Sequence, residues 1–135
     1  MTTLEQDFHA QLESIQDLTA IVGSNIYPVA LPKSVSATAQ PWMTYQTVSR
    51  TALYQLSGDS NLVKKRIALN IWSTSYADVV NAAKAIWSSL SGFQGQLPNG
   101  TVVRLIEIAN GSDSYEDTAL MYRAMVQIIV TYVEQ

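Results

Sequence analysis

The residues able to do chemistry are few and scattered. The single histidine, His9, lies between Phe8 and Ala10 in a helical pattern, off its apolar stripe. A catalytic histidine needs a nucleophile and an orienting acid, which can be distant in sequence. No G-x-S-x-G elbow occurs among the many serines, so His9 reads as a surface residue. Cysteine is absent, which removes disulfides, thiolate metal sites and a cysteine nucleophile and fits a reducing compartment. Asp113-Ser114-Tyr115-Glu116-Asp117 is an acidic run, but it lacks the spacing of a calcium loop and reads as a solvated loop. "SGFQGQLPNG" has three glycines but no following lysine-threonine or lysine-serine pair and no helix, so it is a helix stop plus a turn and not a phosphate cradle. No pair of carboxylates stands out for acid–base work. The expectation is of no catalytic residue, no cofactor and no metal, and hence of no enzyme.

The remaining candidates are surfaces. Lys64-Lys65-Arg66 is the longest positive run and falls inside a strand pattern. It suits a solvated face, an acidic neighbour or the wall of a channel. Asp113, Glu116 and Asp117 are the complementary acidic set. Trp42, Trp72 and Trp87 fit core or interface anchors better than a platform for stacking bases. The net charge is −3, whereas a nucleic-acid footprint calls for a basic patch and a pI above about 9. Apolar residues make up 47% of the chain and charged ones 14%, against a usual charged share of about 25%. Such a composition suits a protein whose surface is partly covered by a partner. The start, Met1-Thr2-Thr3-Leu4-Glu5, is not that of a signal peptide, and no apolar run approaches the length of about 18 residues that a membrane span needs.

These side chains must be positioned by a small set of elements, and the length of 135 residues suits a single domain, 1–135. Leu4, Phe8, Leu12, Ile15 and Leu18 form one helical stripe, with Thr3 and Gln6 placed as a capping box. Asp17 is placed to cap a second short turn that ends at Gly23. "SNIYPVALPKSVSATAQPW" reads as a short extended piece at Ile26-Tyr27 and then a long loop to Pro41, with a mobile tip at 33–40. Trp42 to Leu56 is a strand with a bulge near Arg50-Thr51, and "SGDSN" turns it into a second strand, Leu62 to Trp72. Each hairpin arm of about eleven residues spans roughly 36 Å. Ser75 is placed to cap a helix to Leu90 whose apolar face is Tyr76, Val79, Val80, Ala83, Ile86, Trp87 and Leu90, with Gly92 as its stop. Thr101 to Ala109 is the third strand, "NGSDSYED" an acidic loop, and Thr118 to Val133 a last strand apolar on both sides. The expected fold is α+β: a four-stranded, mainly antiparallel sheet with two helices on one face, in the order α-β-β-α-β-β. Two helices leave the second sheet face for water or a neighbouring subunit.

Four stretches carry a resemblance: "LTAIVGSNIYPVALP", "PWMTYQTVS", "RIALNIWSTSYADVVNAAKAIWSSLSGF" and "DTALMYRAMVQIIVTYVEQ". Together they resemble the tail-completion, or tail-terminator-like, proteins of long-tailed bacteriophages and prophages. That family shows an L-x-x-L-V-G-x-x-I-Y-P run, a P-Y-x-x-Y-Q strand, a V-x-I-x-x-W strand before the second helix, and a final strand with Y-R. Ala20 and Trp42 depart from its usual residues. The resemblance covers nearly the whole chain. It implies a structural virion protein without catalytic residues: a homo-oligomer, expected to be a hexameric ring, that completes the tail tube and joins it to the head connector or stopper protein. It implies a location in the tail or neck of the virion, and in host cytoplasm during assembly. DNA would pass through its channel without sequence-specific binding. Another neck or minor tail protein, or a small ligand-binding α+β domain, are the alternatives.

Overall fold

A computed structural model describes residues 3–23, 25–29, 41–55, 58–117 and 120–134. Three helices and six strands follow in the order α1 (Leu4–Glu13), α2 (Gln16–Val22), β1 (Ile26–Pro28), β2 (Trp42–Gln55), β3 (Gly58–Ser73), α3 (Tyr76–Leu90), β4 (Gly95–Gln96), β5 (Val102–Glu116) and β6 (Met121–Val133). All six strands join one curled, half-barrel sheet in the order β1-β2-β3-β6-β5-β4. Only the β1–β2 pair is parallel. This corrects the expected four-stranded sheet with two helices.

Each extra element has a local cause. The N-terminal stripe is two helices because Ser14 closes the first one: its N–H bonds the Ala10 and Gln11 carbonyls and its hydroxyl bonds Gln11 O at 2.6 Å. Ile15 is then extended, yet Ile15 and Leu18 stay buried, so the stripe survives the break. The Thr3–Gln6 capping box forms as expected, whereas no side chain caps α2. The extended piece at Ile26-Tyr27 becomes a parallel edge strand, fixed where Met43 N–H bonds Asn25 O and Val29 N–H bonds Tyr45 O. Residues 30–40, which include the expected loop tip, lie outside the described residues, as do 56–57 and 118–119.

The expected acidic loop is the second half of β5. Asn110 to Glu116 pair with β6 from Gln127 to Met121. Side-chain polarity misleads there because an edge strand is held by backbone pairing while its side chains stay in water. The bulge in β2 falls at Val48, between Thr47 and Ser49, a little before Arg50-Thr51. At the start of α3 Ser75 holds the N-cap position as expected, but its side chain makes no capping bond; Ser73 Oγ instead accepts the Ser75 N–H at 3.1 Å and donates to Asp78.

The core lies between the three helices and one face of the sheet. Phe8, Leu12, Leu18, Ile86 and Leu90 meet Ile67, Leu69, Ile71, Ile106 and Ile128 there, all fully buried. Alternation puts Ala124, Val126, Ile128, Val130 and Tyr132 of the central strand β6 on this side. The residues between them are half-buried on the open face.

Candidate functional site

On the open face the half-buried Met125, Ile129 and Val133 of β6 lie among polar and aromatic groups that largely satisfy one another. Arg66 Nη1 donates to Gln127 Oε1 at 3.2 Å. Arg123 donates to Asn70 Oδ1 at 2.9 and 2.7 Å, sits 5.3 Å over the Trp72 ring and meets Glu116 at 3.5 Å. Trp72 stacks on Trp42 with ring centres 5.3 Å apart. Trp42 is thereby 8% exposed, so this candidate interface residue is already covered by its own chain.

The basic run splits across the sheet. Lys64 and Arg66 belong to the open face, but Lys65 points to the core side, where it pairs with Glu5 of α1. Thr47 also donates to Glu5, at 3.2 Å, and Lys65 lies 5.8 Å from the Tyr132 ring centre. Burial alone would raise the Glu5 carboxyl, but the bond and charge of Lys65 and the bond of Thr47 hold it below the usual carboxylate range. Burial likewise pulls Lys65 down, and its bonds to Glu5 and Tyr132 and their charges leave it raised. A depressed carboxylate stabilises the fold above its unfolded pKa and loses that contribution as pH falls through the folded one. Glu5→Gln should therefore cost about 1 kcal/mol at neutral pH, a figure kept low because Glu5 is partly solvated. The deficit relative to wild type should shrink as pH falls below the usual carboxylate range, which chemical denaturation at several pH values measures.

The acidic set lies at the far end of β5. Tyr76 of α3 donates to the Asp113 carboxylate; that bond and the adjacent charge raise the Tyr76 hydroxyl. Glu116 reaches Arg123, and Asp117 is exposed. Tyr122 makes edge contacts with both Tyr76 and Tyr115. The structure thus keeps Lys64 and Arg66 apart from Asp113, Glu116 and Asp117 within one chain, on different strands of the sheet.

The one histidine is engaged by its neighbours. His9 is half-buried and committed, with Nδ1 3.0 Å from the Tyr45 hydroxyl and Nε2 2.9 Å from Glu13. Among the described residues no group of three or more His, Cys, Asp or Glu could hold a metal, and no helix is long and apolar enough to cross a membrane. An open groove of about 490 Å³ beside Val29 is lined by Glu5, Pro28, Tyr45 and Thr47, but Glu5 and Thr47 already serve Lys65 and α1.

What sequence reasoning missed are two unlike strips along the sheet's opposite sides. Tyr76, Val80 and Trp87, expected in the core, are 49, 39 and 49% exposed. They run along α3 beside β5: Tyr76 bonds Asp113, and Trp87 lies over Gly111, where a Cβ would come 3.4 Å from its ring. Tyr115 and Leu120 extend this strip. On the other side, Val29 and Val48 are exposed beside β2. The signal was present in the helix: Val79, Ala82, Ile86 and Leu90 suffice to bury it, so Tyr76, Val80 and Trp87 make a second stripe, with Ala83 partly buried between them.

Comparison with known proteins follows from this geometry. Among curated protein sequences, none matches the chain significantly. A solved chain described as "Virion of native gene transfer agent (GTA) particle" has a similar fold, with TM-score 0.70 at 15% identity over 93% of this chain and 90% of that one. The family model described as "Tail completion protein gp17" matches residues 6–132, and the chain therefore belongs to the tail completion protein gp17 family.

Proposed function

We propose that the protein is a structural component of a phage tail that works as a homo-oligomeric ring, expected to be hexameric, which completes the tail tube and joins it to the head connector. Family membership supplies the tail assignment. The observation that carries the ring is the pair of different apolar strips on opposite sides of one sheet. A self-complementary dimer uses one patch twice, whereas two unlike patches on opposite sides generate a head-to-tail contact, which makes a ring where its rotation closes. The mechanism is complementarity of surfaces, with no bond made or broken. The tail tube protein and the connector or stopper protein are the partners of the two ring rims. The setting is the virion, and host cytoplasm during assembly.

Lys64 and Arg66 keep their proposed role on the open face, facing an acidic neighbour or the channel through which DNA passes. Lys65 leaves that role because it holds α1 to the sheet. Lys64→Glu with Arg66→Glu should leave the thermal midpoint within a few degrees of wild type while weakening the ring at least tenfold in sedimentation analysis. Unchanged assembly would remove these two residues from the interface.

A further inference from the structure

We propose that neighbouring copies join by extending the sheet, the outer edge of β5 in one copy pairing antiparallel with the outer edge of β2 in the next. This rests on the ring reading and names the contact that closes it.

Among the described residues, no strand covers the outer half of either edge. On β5, Ile106 already turns its backbone outward, to Gly92 N–H and Phe93 O. The alternation of the ladder then turns outward Ile108 and, past the irregularity at Ala109, Gly111, Asp113 and Tyr115. Asn110 Oδ1 caps the Gly111 N–H at 2.8 Å. Among the described residues no strand pairs with this stretch. On β2, the outward groups of Met43 and Tyr45 are taken by the β1 segment; Thr47 and, past the Val48 bulge, Arg50 and Ala52 come next. Neither Gln46–Ala52 nor Ile108–Glu116 contains the proline or lysine that commonly blunts an exposed edge.

The directions fit. The four long strands β2, β3, β6 and β5 alternate in direction, so β2 and β5 are antiparallel. A second copy in the same orientation therefore offers β2 antiparallel to β5 without being inverted, as rotational symmetry requires. The offset fits as well. The open stretch of β2 lies level with Ile128 to Tyr132 of β6, that of β5 with Met121 to Ile128. Their centres differ by about five residues, roughly 17 Å along the strands, over about 19 Å of sheet width. That slope is roughly 40°, the size of strand tilt that closes a sheet into a barrel.

The side chains agree. Every large hydrophobic that stands exposed among the described residues flanks one of these two edges: Val29 and Val48 beside β2, the others beside β5 and its tip. Edge pairing would cover both strips.

The test uses Ala52→Pro, which removes an outward N–H of β2, and Asp113→Pro, which removes one of β5. Val48→Lys is a third variant that keeps the backbone unchanged and puts a charge in the joint. Circular dichroism establishes that each folds. In sedimentation analysis each variant alone should remain monomeric where wild type forms rings. Ala52→Pro mixed with Asp113→Pro should give one-to-one dimers only, because each retains one intact edge. Rings formed by wild type and by Ala52→Pro, or by Val48→Lys should the proline variant not fold, overturn the edge joint and leave the ring intact. Failure of wild type itself to form a closed oligomer, alone or on tail tubes, overturns the ring and the joint together.

Discussion

Asp7→Ala should cost about 2–4 kcal/mol, the loss of two charge-assisted hydrogen bonds whose donors are then left partly buried. Asp7 is fully buried in the first helix, 0% exposed. One carboxylate oxygen accepts the Asn99 N–H at 2.7 Å and the other the Thr101 N–H at 2.9 Å. These donors belong to the turn between β4 and β5, which Gly100 enters with a φ of 100° and which the Leu97–Thr101 backbone bond closes. Asp7 thus ties the chain's first helix to an edge of its sheet more than ninety residues later. Asp7→Asn keeps one acceptor oxygen and should lose about half as much. Denaturant midpoints for both variants measure the clamp. A loss under about 0.5 kcal/mol for Asp7→Ala would mean that water replaces it without penalty.

Trp87→Glu should act on assembly far more than on folding. The ring rests on Gly111, so its loss from the monomer removes one partly covered face and costs about 1 kcal/mol or less. In the proposed joint the remaining face is buried against a neighbour. A buried aromatic anchor is worth about 2 kcal/mol or more to a contact, roughly a thirtyfold weakening when it is removed. A carboxylate put in its place adds a desolvation penalty. Because a ring repeats the contact at every subunit, the closed form should disappear at concentrations where wild type is fully assembled. Light scattering across a dilution series, with circular dichroism as the folding control, reads both effects. An assembled Trp87→Glu protein would place the interface elsewhere.

Much of the architecture was legible because it is written in periodicity. The Leu4–Phe8–Leu12 stripe, the capping box at Thr3, the alternation of Val63, Ile67, Leu69 and Ile71, and the glycine after α3 all appear where local rules put them. The strand apolar on both sides, β6, is central in the sheet. What escaped depends on pairing across the chain. β1 and β4 are three and two residues long, too short to carry a period, and exist only because β2 and β5 offer them an edge. The second half of β5 is polar because it is an edge, and polarity reads as a loop. Lys65 was grouped with its neighbours because a charge run gives no sign of which side each residue faces. Glu5, its partner, is sixty positions away, and Asp7 meets its partners at still longer range. Trp87 and Val80 were placed in the core because a helix with two apolar stripes looks the same as one with a single broad stripe until its neighbours are known.

The central claim is that this chain closes the end of a tail tube as a ring. Negative-stain electron microscopy of the purified protein mixed with purified tail tubes tests it most directly. The account predicts annular particles with a central hole, seated at one end of each tube and absent from the other. A protein that stays monomeric beside bare tube ends, at concentrations well above those of assembly, would contradict it.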